Sequence, residues 1–96
     1  MKRTTVLETA AKFVSSDRAS VYGDAKTSHA RIADYWTRYL NLPADAISAQ
    51  DVAVMMVLLK VSRLNYKPTS DSFIDICGYA ALACEIGEGE MERPTL

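Results

Sequence analysis

Apolar residues recur along this chain at helical rather than strand spacing. Leu7, Ala10, Ala11 and Val14 fall at i, i+3, i+4 and i+7, and Thr5-Val-Leu-Glu8 just ahead has the spacing of a capping box. The pattern predicts a first helix from Thr5 to Ser15. The stretch SSDRASVYGD, Ser15 to Asp24, breaks the periodicity around Gly23 and reads as a loop. His29, Ile32, Ala33, Trp36 and Leu40 restore a stripe that stops at Asn41-Leu-Pro43, giving a second helix from Ala25 to Leu40.

Ser48-Ala-Gln-Asp51 again has capping-box spacing and opens VAVMMVLLKVSRL, which is apolar on nearly every side. Its length, its cap and its Leu and Met content favour a third helix, Ala49 to Asn65, over a strand, and its girdle implies burial by several neighbours. Tyr66-Lys-Pro-Thr-Ser70 is a turn. Ser70 as N-cap and Asp71 in the first turn then open a fourth helix, Asp71 to Ile86, closed by Gly87 as a C′ residue.

Four helices and short connections predict an all-α, compact four-helix bundle, a single domain over residues 1–87 with an acidic tail over 88–96. The apolar girdle of helices three and four adds an expected homo-oligomer interface. At 96 residues, 49% hydrophobic and 24% charged, the chain is near the lower end of what holds a core unaided. A net charge of −1 provides no overall field toward duplex nucleic acid or an anionic membrane, so any anion site must be local. Glu8 and Lys12 interrupt what would have to be a signal-peptide core, and the longest apolar run, Val52 to Leu59, is too short to cross a bilayer. The expected location is the cytoplasm. Cys77 and Cys84 are seven residues apart on one helix, about 10 Å along its axis, too far for a disulfide, and read as buried thiols.

The candidate chemistry lies in four charges within the apolar part of the chain. Lys60 and Arg63 are i, i+3 neighbours on helix three, and Asp71 and Asp75 are i, i+4 neighbours on helix four, with Tyr79 a turn further. An antiparallel hairpin brings all four to one end. Two readings stand there with equal weight: an interhelical salt-bridge cluster that fixes register, or Lys60 and Arg63 binding a phosphate while the aspartates orient them or hold a metal ion. Arg18, Tyr22 and Asp24 surround Gly23 before helix two. Tyr22 has the ring to stack on a base and Asp24 the carboxylate for a sugar or metal, although an N-cap role for Asp24 is the simpler expectation. His29 and Trp36 lie on the apolar stripe and default to core packing. No serine constellation, glycine-rich phosphate loop or basic aromatic patch stands out, so no catalytic residue is assigned.

Arg18…Tyr22-Gly-Asp24, His29-Ala-Arg-Ile-Ala-Asp-Tyr-Trp36, Asp51-Val-Ala-Val-Met-Met-Val-Leu-Leu-Lys60-Val-Ser-Arg63 and Asp71-Ser-Phe-Ile-Asp75-Ile-Cys-Gly78-Tyr79, in that order, resemble a family of small phage and prophage proteins classed as a domain of unknown function. His29 stands where that pattern implies Asn. The Tyr-Gly loop, the Lys-x-x-Arg helix and the Asp-x-x-x-Asp…Gly-Tyr helix are more remotely similar to the all-α nucleotide pyrophosphohydrolases of the MazG and dUTPase-like group. That resemblance implies nucleotide handling by an oligomeric bundle, with Arg18, Tyr22, Asp24, His29, Trp36, Lys60, Arg63, Asp71 and Asp75 as ligand-binding residues. If a Mg²⁺ site exists, it would fall on Asp24, Asp71 and Asp75.

The pyrophosphohydrolases carry a Glu-Glu-x-x-Glu helix and a later Glu-x-x-Asp, where this chain offers only Asp34 and Asp51. Phosphoryl transfer by metal ions needs several clustered carboxylates. Expectation therefore leans to a protein that binds a nucleotide or cyclic nucleotide without cleaving it, for example an anti-defence sponge that sequesters a nucleotide immune signal. The alternatives are a Mg²⁺-dependent nucleoside-triphosphate pyrophosphohydrolase and an interaction module with no small ligand.

Overall fold

The computed structural model of the chain describes residues 1–15 and 24–88. Within them are four α-helices and no strand: α1 (Arg3–Val14), α2 (Ala25–Tyr39), α3 (Ala49–Leu64) and α4 (Ser70–Ile86). The expected loop over Ser15 to Asp24 and the tail beyond Glu88 fall almost wholly outside the described residues.

Local chemistry sets most of the boundaries. Ser48 caps α3 with a reciprocal box, its hydroxyl accepting from Asp51 N at 3.0 Å while Asp51 Oδ2 accepts from Ser48 N at 2.9 Å. Thr69, not the expected Ser70, caps α4 by accepting from Ser72 N at 3.2 Å. The Thr5/Glu8 box does not form. α1 starts two residues earlier, at Arg3, behind Lys2, whose side chain makes no cap, so both members of the expected box lie inside the helix. Between α2 and α3 the chain reverses with Asn41 and Asp45 at φ of 55° and 65°, a left-handed backbone that these two residue types tolerate.

α3 and α4 form an antiparallel hairpin with the most extensive contact in the protein. α2 packs against α3, and α1 against α4. The hairpin is tied at both ends. Near its open end Gln50 Nε2 donates to Ala83 O at 3.0 Å, and near the turn Lys60 Nζ lies 3.1 Å from Asp75 Oδ2. Gly87 is required by this tie rather than by backbone strain. Its φ is −85°, not the left-handed value expected of a C′ glycine, and a Cβ there would lie 2.1 Å from Gln50 Nε2. Gly78 likewise admits α1, with Val14 Cγ1 3.3 Å from where its Cβ would stand.

The core is built from small residues. Ala53, Ala83 and Ile86 form its centre, with Ala25, Ala49 and Leu82 packed on it, and Val52 is the largest fully buried side chain. Small side chains at a helix contact let the axes approach closely. Of the helix expected to be covered by several neighbours, the protomer itself buries only Val52 and Ala53, and Val54, Met55, Leu58, Leu59 and Val61 are exposed within the single chain. The expectation of two buried thiols is corrected as well, since Cys77 is half-buried and Cys84 exposed. Both are free.

Candidate functional site

The charged group of the α3/α4 hairpin is only partly paired. Lys60 and Asp75 form an ion pair at 3.1 Å in which the lysine side chain is 15% exposed and the aspartate 34%. It is half-screened from water, unlike the surface pair of Arg38 and Asp34 on α2, whose side chains are 77% and 55% exposed. Arg63, about 60° around α3 from Lys60 and one turn nearer the helix end, is exposed and has no ion pair among the described residues. Asp71, one turn before Asp75, is also exposed and unpaired there. The hairpin end thus holds one closed pair and, a turn further out, one cation and one carboxylate that do not neutralise each other.

Tyr79, a turn inward from Asp75, brings α2 to this group. The His29 and Tyr79 rings lie with centroids 6.5 Å apart and planes tilted by 59°. His29 is buried, and its Nδ1 is 2.8 Å from the carbonyl oxygen of Ala25, which can only accept, so Nδ1 carries the proton and donates. In the neutral ring that leaves Nε2 as an acceptor. His29 is a satisfied core histidine whose ring lies against Tyr79.

Asp24 is not part of this group. It caps α2, one carboxylate oxygen accepting from Thr27 N at 3.0 Å and the other from the Thr27 hydroxyl at 2.8 Å. Its neighbour Ala25 packs on the Ala53, Ala83 and Ile86 cluster, and Ala53 precedes Lys60 by seven residues, about 10 Å along the axis. Asp24, Asp71 and Asp75 therefore do not converge as a metal site. Among the described residues no three His, Cys, Asp or Glu side chains come together in a way that would hold an ion. Trp36 is half-buried on α2, two turns beyond His29. Arg18 and Tyr22 lie outside the described residues.

The hydrogen bond from Thr27 N, followed by that from the Thr27 hydroxyl, holds the Asp24 carboxyl below its usual pKa. A depressed carboxyl pKa contributes stability above the unfolded value of 3.8 that is lost as pH falls through the lower folded value. Asp24→Ala should therefore melt below the wild type at pH 7, and the gap should close as the pH drops below 3.8. Circular-dichroism melts over that range check it, and a gap independent of pH would show that the carboxylate is not the cap.

Two features were not legible as site components in advance. Tyr79 was visible as a turn beyond Asp75, but its contact with His29 joins positions fifty residues apart. A hollow of about 160 Å³ between α2 and the start of α3 had no sequence signal; Ala30, Ala33, Thr37 and Ile47 line it, with Asp34 and Asp45 also bordering it. Its two carboxylates give it the wrong sign for a phosphate.

No described helix is long and apolar enough to cross a membrane. No solved structure matches the chain. It is 39% identical over 90 residues to the Gene 55 protein of Mycobacterium phage L5, covering 93% of this chain and 56% of that protein. It is 34% identical over 91 residues to the Gene 55 protein of Mycobacterium phage D29, covering 92% of this chain and 57% of that one. The chain thus spans little more than half the length of these relatives. Residues 5–87 match the description Domain of unknown function (DUF6378), and the chain belongs to that family, a small phage family.

Proposed function

We propose that the protein binds a phosphorylated nucleotide at the turn end of the α3/α4 hairpin and does not cleave it, a chemistry suited to sequestering a nucleotide signal. The observation that carries this reading is Arg63, an exposed guanidinium with no ion-pair partner among the described residues although Asp71 and Asp75 are on the adjoining helix. Its fork matches two phosphate oxygens. Lys60, which has three donors and one carboxylate partner, can add a point charge a turn away. Arg18 and Tyr22 remain the expected contacts from the preceding segment, with the tyrosine ring on a base. The absence, among the described residues, of any three clustered metal-ligating side chains favours binding over the Mg²⁺-dependent pyrophosphohydrolase reading and over its MazG-like chemistry.

Isothermal calorimetry of the purified chain against nucleoside mono-, di- and triphosphates and cyclic mono- and dinucleotides tests it. Saturable binding of one class is expected, with affinity falling about 10- to 100-fold in Arg63→Ala, the worth of a charge-assisted hydrogen bond. Pyrophosphate release in the presence of Mg²⁺ would favour the hydrolase instead. Silence across the whole panel would leave the hairpin charges a structural device of an interaction module.

A further inference from the structure

One helix leaves five large apolar residues in water, four of them on one face. On α3, Val54, Met55, Leu58, Leu59 and Val61 are between 41% and 61% exposed. Leu59 is turned about 100° from Leu58; the other four leave on the order of 80 Å² each in water, roughly 320 Å² together, within the range that marks an interaction surface on a monomer. At about 100° per residue, Asp51, Val54, Met55, Val61 and Asn65 all lie within about 60° of the direction of Leu58. The inward Val52, Ala53 and Lys60 lie on the opposite side.

The ends of this face differ and complement each other. Asp51 precedes Leu58 by seven residues and Asn65 follows it by seven. Asp51 Oδ2 accepts from Ser48 N, which leaves Oδ1 for another donor. Asn65 is exposed, and its amide makes no side-chain hydrogen bond among the described residues. We infer that a second copy of this chain covers the face, with the two α3 helices antiparallel about a two-fold axis at Leu58.

In that arrangement Leu58 meets its own counterpart, Val54 and Met55 face the partner's Val61, and each Asn65 amide donates to the partner's Asp51. The helix dipoles oppose. A parallel pair would set Asp51 against Asp51. The four side chains from both copies supply about 640 Å², roughly half of the ~1,200 Å² of a small stable interface, before any rim contact. Because Lys60 turns the other way, the interface and the proposed nucleotide site are on opposite sides of α3.

Sedimentation equilibrium of the intact chain should give twice its 10.6 kDa mass, and Leu58→Glu should give the single-chain mass with unchanged helix content. Asn65→Asp, which opposes two carboxylates, should weaken the dimer, and Asn65→Lys should strengthen it. With the two native thiols removed as Cys77→Ser and Cys84→Ser, Leu58→Cys should cross-link to itself under mild oxidation, whereas Asp51→Cys, two turns from the axis, should not. A wild-type chain that stays single at high micromolar concentration would assign the face to a partner of another sequence and overturn the proposal. Cross-linking through Asp51→Cys, with or without Leu58→Cys, would overturn the antiparallel pairing. Neither result bears on nucleotide affinity, which Arg63→Ala reads separately.

Discussion

Ala53→Leu should cost about 3 kcal/mol and lower the melting temperature by roughly 10–20 °C, a large part of what holds a domain of this size together. Ala53 is 0% exposed and meets Ala83 and Ile86 where α3 and α4 cross, with Ala49 and Leu82 closing the cluster. A leucine adds three carbons at the point where two helices touch through methyl groups. Helix propensity cannot compensate, since alanine is already the best former. The helices must separate, which also pulls Gln50 from the Ala83 carbonyl. Ala81→Leu, on the exposed side of α4, makes the same chemical change without that contact and should stay within about 0.5 kcal/mol. Urea and thermal unfolding of the two variants check the difference, and equal losses would show that the crossing is not close-packed.

The helices were legible because their boundaries rest on local chemistry. Ser48 and Asp51 cap each other over three residues, and Asp24 accepts from the Thr27 N–H and hydroxyl over the same span, so both roles could be read before the fold was known. Thr5 and Glu8 carry an equally good pattern and no cap, because a T-x-x-E run inside a helix looks the same as one at its start. The burial of α3 within the protomer was legible only in part. An all-round apolar helix says that its sides will be covered, not that one protomer has enough neighbours to do it, and α2 and α4 reach only the side that carries Val52 and Ala53.

The hairpin charges divide the same way. An antiparallel turn between helices three and four made a Lys60 and Asp75 contact legible from spacing. That Arg63 would be left outside the pair depends on its rotation of about 60° around α3, which matters only once the distance between the helices is set. The contact of His29 with Tyr79 depends on how α2 crosses the hairpin, and no periodicity within either segment encodes it.

The Lys60 and Asp75 pair separates the two readings of this group through an asymmetry in stability. Asp75→Asn leaves an ammonium that is 15% exposed without its carboxylate, and should cost about 1–2 kcal/mol, between a surface and a buried pair. Lys60→Met leaves a carboxylate that is 34% exposed and able to hydrate, keeps the aliphatic stem packed, and should cost less than about 1 kcal/mol. A purely structural pair predicts that order and nothing more. If Lys60 also binds phosphate, Lys60→Met should weaken the nucleotide by about 10- to 100-fold despite its small effect on unfolding, and Asp75→Asn should tighten it, because the ammonium no longer divides its donors between carboxylate and ligand. Opposite signs on affinity from two variants that both destabilise cannot come from loss of fold. Unfolding and calorimetry on the same preparations measure both quantities, and parallel losses of stability and affinity in the two variants would return Lys60 to a register device between α3 and α4.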